Sequence, residues 1–180
     1  MSAAPARAHR SEREAEIVAT ARRILEAQGP DALTMRRIGD EVGMRAPSLY
    51  KHFPGKRHVE AALVEDAFAE MGAALHRAVA RPGRRGPVAA ILAAYREMAL
   101  ANPHIYRLAT GPDLPRDLLT PGLEAWSGEP FFLATGEPHV AQALWAFSHG
   151  MAILEIEGRF MDASNLDRTW RSGAQAFSLP

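Results

Sequence analysis

The chain has 180 residues, with 21 basic and 21 acidic side chains, no cysteine and 47% hydrophobic content. That length suits one compact domain, or a small module joined to a larger one. Without cysteine there is no disulfide scaffold, thiol nucleophile or thiolate zinc site, and a mean hydropathy of −0.17, with no apolar run near the roughly 18 residues of a membrane span, leaves a soluble chain with no membrane partner. Helix formers dominate: 34 alanines stand against 20 isoleucine, valine and threonine residues together, so an all-α fold is expected. A net charge of zero argues against a nucleic-acid partner, but it is a cancellation. The first 60 residues hold 11 basic and 8 acidic side chains, net +3, and the remainder hold 10 and 13, net −3.

Met1 to Arg10 lacks the apolar stretch of a signal peptide and reads as a disordered arm of a cytoplasmic protein. Ile17, Ala21, Ile24 and Leu25 then recur at helical spacing from Ser11 to Gln28, and Gly29-Pro30 stops that helix. Thr34 is a suitable N-cap for a short helix from Met35 to Val42, ended by Gly43. A third helix is expected to start with Pro47, which suits a first helical position, and to turn Leu49 and Phe53 inward. After Pro54-Gly55 a long helix is predicted over Lys56 to Ala80.

The stretch Arg81-Pro82-Gly83-Arg84-Arg85-Gly86-Pro87 has four helix breakers and is the best boundary in the sequence. Beyond it, helices are predicted over Val88 to Ala101 and His104 to Thr110. Prolines at 112, 115, 121, 130 and 138 leave room only for short helical pieces, one near Glu124. The pattern recovers from Pro138 to about Phe160, and a last helix spans about Asn165 to Phe177. The expected organisation is an arm at 1–10, a helix-turn-helix module at 11–71 with its motif at 34–53, a connection at 72–87 and a C-terminal helical part at 88–180.

Two short helices joined by a glycine-containing turn have the proportions of a DNA-reading helix-turn-helix. At about 100° per residue, burying Leu49 and Phe53 turns Lys51 outward, with Pro47 and Ser48 on the same surface and Tyr50 and His52 on its flanks. Ser48 and Lys51 suit base edges in a major groove, and Ala46 and Pro47 suit a thymine methyl. Tyr50, His52, Lys56 and Thr34 are placed to meet phosphates.

The stretch from Leu33 to Lys56, LTMRRIGDEVGMRAPSLYKHFPGK, closely resembles the signature of the tetracycline-repressor (TetR) family, and the likeness extends over about Glu14 to Ala69. It implies a dimeric all-α transcription regulator, usually a repressor, released from DNA when a small molecule binds the C-terminal domain. It also implies that Arg36, Arg45, Ala46, Pro47, Ser48 and Lys51 contact bases, while Thr34, Tyr50, His52 and Lys56 contact the DNA backbone. Gly39 stands where the family commonly has alanine, and is expected to loosen the second helix slightly. Trp145 to Glu155, WAFSHGMAILE, resembles the C-terminal subtype named for a Trp-His-Gly signature, although here Phe147 and Ser148 precede His149-Gly150. The segment from Asn102 to Leu108 fits that subtype too. The resemblance places a homodimer on the last two helices, so two reading helices about 34 Å apart would meet a palindromic operator.

For the effector, Tyr95, Met98, Tyr106, Trp126, Phe131, Phe132, Trp145 and His149 are candidate cavity walls. His149, Glu155 and Glu157 do not share a helical face, so no metal site is expected, nor any other cofactor. No nucleophile elbow, phosphate loop or His-Glu-x-x-His occurs, and no enzymatic activity is expected. The competing reading is a helical sensor or interaction protein of the same fold without specific DNA binding.

Overall fold

The computed structural model describes residues 2–161 and 163–178; Met1, in the expected arm, and Asp162, Leu179 and Pro180, in the expected C-terminal part, lie outside the described residues. Among the described residues the chain is all-α, without strands. Its helices are α1 Glu12–Gln28, α2 Met35–Glu41, α3 Ala46–His52, α4 Lys56–Ala80, α5 Gly86–Ala101, α6 Pro103–Thr110, α7 Leu123–Thr135, α8 Pro138–Ile156 and α9 Leu166–Phe177. Short 3₁₀ turns fall at Pro30–Ala32, Gly83–Arg85 and Arg116–Leu118.

Local chemistry sets these boundaries. Ser11 and Glu14 form a reciprocal capping box at the start of α1. The Glu137 carboxylate accepts the N–H groups of His139 at 3.1 Å and Val140 at 2.6 Å before Pro138 opens α8. Asn165 caps α9 by accepting the Arg168 N–H at 2.9 Å. Such caps satisfy orphan donors and each contribute about 1 kcal/mol.

The chain forms two compact units, one of residues 5–68 and 102–123, the other of residues 1–4, 69–101 and 124–180. The packing therefore divides the chain at other places than composition does. The breaker-rich stretch at 81–87 lies inside one unit, as the turn between the end of α4 and α5, with Gly83 and Gly86 at φ +66° and +81°. The first unit gathers Ile17, Ile24, Leu25, Ile38, Leu49, Val59 and Ile105 into one core. Each such side chain, fully buried, contributes about 1.5–3 kcal/mol. Ile105 belongs to α6, which explains why residues 102–123 pack with the N-terminal helices.

The expected disordered arm needs correction. Residues 2–10 have no regular structure, yet Arg10 donates to both Asp66 oxygens at 2.8 Å and to the Ala62 carbonyl at 2.9 Å, and Arg7 also pairs with Asp66. The expectation of only short helical pieces around the prolines also fails at α7, which runs for 13 residues with Pro130 inside it. Proline removes the N–H that would bond the carbonyl four residues back, here that of Trp126. His76 compensates, its Nε2 lying 3.1 Å from that oxygen.

In the second unit α5 packs against α8 and α9. The close seat of α9 depends on Gly173, where a Cβ would lie 2.1 Å from the Phe147 ring. Arg96 on α5 braces both partners: its guanidinium donates to Glu155 on α8 at 2.6 and 3.0 Å and to Asp167 on α9 at 2.6 Å. The Glu155 carboxylate also accepts the Trp170 indole N–H at 2.9 Å.

Candidate nucleic-acid interface

The helix-turn-helix is built by its turn. Thr34 Oγ1 accepts the Arg37 N–H at 3.1 Å to start α2, and Val42 ends it. Gly43 then takes φ +64°, which suits glycine, and reverses the chain. The Met44 N–H closes the turn on the Gly39 carbonyl at 2.8 Å. Gly39 is buried, and a Cβ there would lie 3.1 Å from the Met44 oxygen. The missing methyl therefore gives the turn room against α2, rather than simply loosening the helix.

On α3, Ala46 and Pro47 occupy the first two positions, so Pro47 stands second in the helix. Leu49 is fully buried and Phe53 is 8% exposed. Arg45, Ala46, Pro47, Ser48, Tyr50 and Lys51 are all exposed, so one side of this short helix anchors it and the other presents a continuous outer face. Lys51 and His52 in the last turn complement the helix dipole, and α3 carries no acidic residue. The face is cationic and small, and can enter a groove of about 12 Å.

The remaining expected contacts differ in how freely they are held. The Arg36 side chain is 93% exposed, with Asp40 at 3.9 Å. His52 is half-buried, with Nδ1 3.9 Å from Glu14. Lys56 is turned toward its own chain, its Nζ 3.3 Å from the Pro30 carbonyl and 3.5 Å from Glu60. It must exchange these partners to meet a phosphate.

Sequence reasoning passed over Arg23 and Arg37, which both pair with Glu41, at 2.7 and 2.9 Å. Hydrogen bonding from Arg23, then the charges of Arg23 and Arg37, hold the Glu41 carboxyl below its usual range. The Arg37–Glu41 spacing of four was legible on a helix; Arg23 on α1 required the tertiary fold.

The candidate effector residues do not form one group. Tyr95 and Phe131 are buried and meet edge to face at 5.7 Å. Trp126 stacks on His76 at 4.7 Å, and Trp145 on His149 at 6.0 Å. Burial holds the His149 imidazole below its ordinary pKa. Met98 is half-buried on α5. Phe132 and Trp145 are 47% and 48% exposed on the chain's surface. Tyr106 lies in the other compact unit, with the N-terminal helices.

Comparison with known proteins agrees with this architecture. Residues 17–63 match the family described as bacterial regulatory proteins, tetR family, and residues 88–177 match the tetracyclin repressor-like C-terminal domain. The chain is 29% identical over 157 residues to an uncharacterized HTH-type transcriptional regulator of Mycobacterium tuberculosis, covering 79% of this chain and 69% of that one. A protein of unknown function from Rhodococcus sp. RHA1 shares the fold, with a TM-score of 0.79, 24% identity and coverage of 94% and 95% of the two chains. A TetR variant from Acinetobacter baumannii AYE, solved with minocycline, has a TM-score of 0.62 at 22% identity, over 89% and 91% of the chains. With both halves matched and the reading helix exposed as described, the chain belongs to the TetR family and is a DNA-binding transcriptional regulator.

Proposed function

We propose that this regulator is a cytoplasmic repressor that binds a palindromic operator as a homodimer and leaves it when a small molecule occupies the C-terminal unit. The observation that carries this reading is the outer face of α3. Arg45, Ala46, Pro47, Ser48, Tyr50 and Lys51 stand exposed together while Leu49 and Phe53 lock the helix from beneath. Bases would be read by Arg36, Arg45, Ala46, Pro47, Ser48 and Lys51, and phosphates by Thr34, Tyr50, His52 and Lys56.

The homodimer would use α8 and α9, where Trp145 and Leu154 leave apolar surface exposed. Tyr95, Met98, Trp126, Phe131 and His149 are the better-supported effector contacts, being buried or half-buried in one unit. The A. baumannii relative, solved with minocycline, supports a small-molecule effector. The stretch from Trp145 to Glu155 supports assignment to the Trp-His-Gly subtype.

The test is titration of the protein against its own upstream DNA at several salt concentrations. Sequence-selective binding that weakens steeply with salt is expected, because phosphate contacts release counterions. Binding without sequence preference at any salt overturns the reading.

A further inference from the structure

We infer that His76 is the polar anchor of the effector site, its Nδ1 accepting a hydrogen bond from a hydroxyl or amine of the bound molecule. This rests on the effector reading above and names the chemistry that site selects.

The argument begins at Pro130. Inside α7 it has no N–H to give the Trp126 carbonyl, and His76 Nε2 stands 3.1 Å from that oxygen instead. A carbonyl only accepts, so the proton of this hydrogen bond is on Nε2. In the neutral ring Nδ1 is then a bare acceptor. His76 is only 6% exposed, and Nδ1 is buried with no hydrogen-bond partner among the described residues. Buried acceptors nearly always have partners, so this atom marks a place where a donor belongs.

The surroundings narrow the ligand further. The Trp126 indole lies stacked on the imidazole, seated where Gly72 has no side chain, since a Cβ there would fall 2.3 Å from the ring. The Glu129 carboxylate lies 3.4 Å from Nε2. The Nδ1 lone pair, with a carboxylate held at the other nitrogen of the same ring, disfavours an anion. The preferred class is therefore a neutral or cationic aromatic compound with a donor group, rather than a carboxylate or an ether.

The experiment uses the full chain and four probes on one skeleton: benzyl alcohol, benzylamine, benzyl methyl ether and benzoate. Binding is read by thermal shift and by the ¹⁵N resonances of His76, and release is read from the protein's upstream DNA. The alcohol and the amine should move the Nδ1 resonance and bind at least about tenfold more tightly than the ether and benzoate. His76→Phe should abolish that preference. His76→Gln should retain it, because the amide can both donate to Trp126 and accept from the ligand.

The anchor is overturned if all four probes act alike, if none moves the Nδ1 resonance, if that nitrogen proves to be held by an ordered water, or if the preference survives in His76→Phe. Release from DNA that persists unchanged in His76→Phe overturns the anchor while the effector reading stands. Donor probes that bind through His76 without loosening DNA support the anchor and count against the effector reading alone.

Discussion

The Glu26 carboxylate on α1 holds the start of α6: one oxygen accepts the Ile105 N–H at 2.7 Å and the other the His104 N–H at 3.3 Å. Asn102, the residue before α6, provides no side-chain cap of its own and instead accepts from Arg22 at 3.2 Å. The N-terminus of α6 is thus capped by a distant helix. Glu26→Ala should destabilise the protein by about 1 kcal/mol, the usual worth of a cap, and Glu26→Gln by less. Urea unfolding of the two variants checks the order.

Pro130 and His76 should be coupled. His76→Phe leaves the Trp126 carbonyl without a donor and should cost about 1–3 kcal/mol. With Pro130→Ala in place, the restored N–H can satisfy the same oxygen, and the cost of His76→Phe should fall. A double-mutant cycle measures the difference; additive effects would contradict the compensation.

Glu155 joins three helices by accepting from Arg96 and from the Trp170 indole, and its side chain is only 11% exposed. Removing it strands the Trp170 indole N–H and leaves Arg96 with Asp167 alone. Glu155→Ala should cost about 2–3 kcal/mol, whereas Asp167→Asn should change stability little, because Asp167 is 70% exposed. Thermal melts of the two variants provide the comparison.

His149 gives stability a pH dependence of definite sign. Burial lowers its pKa from the ordinary 6.5, so below that pH the unfolded chain binds the proton more readily and the folded state loses stability. The loss begins as pH falls through about 6.5 and ends at the lower folded value. Glu41 and Glu137, held below the ordinary 4.5 by Arg23 and by backbone N–H groups respectively, lose their contributions only in a more acid window. His149→Gln should flatten the first window and leave the second, as denaturation midpoints at stepped pH will show.

Lys51 and Lys56 should differ in kind. Lys51→Ala, on the outer face of α3, should cost about 1–3 kcal/mol on the best operator and change which variants bind. Lys56→Ala should weaken all sequences alike and lower the salt slope by about one. Identical selectivity profiles for the two proteins would contradict these roles.

The reading motif was legible because its information is local. Thr34, Gly43, Pro47, Leu49 and Phe53 act within a few residues of one another, through capping, turn geometry and helical spacing. The effector residues were less legible, because aromatic residues at helical spacing look alike whether they meet each other, as Tyr95 and Phe131 do, or face outward, as Phe132 does. Pro130 read as a helix breaker for the same reason: its compensating donor, His76, lies 54 positions away in the chain.

Composition and periodicity therefore determined the all-helical class, and the motif from Leu33 to Lys56, through its family resemblance, marked the reading helix; both depend on neighbours in the chain. Tertiary structure decided that α6 packs with the N-terminal helices, that Glu155 braces three helices and that His76 sustains α7. Those outcomes depend on buried donors finding acceptors from remote segments, and hydrogen-bond partners far apart in sequence leave no period for a sequence to display.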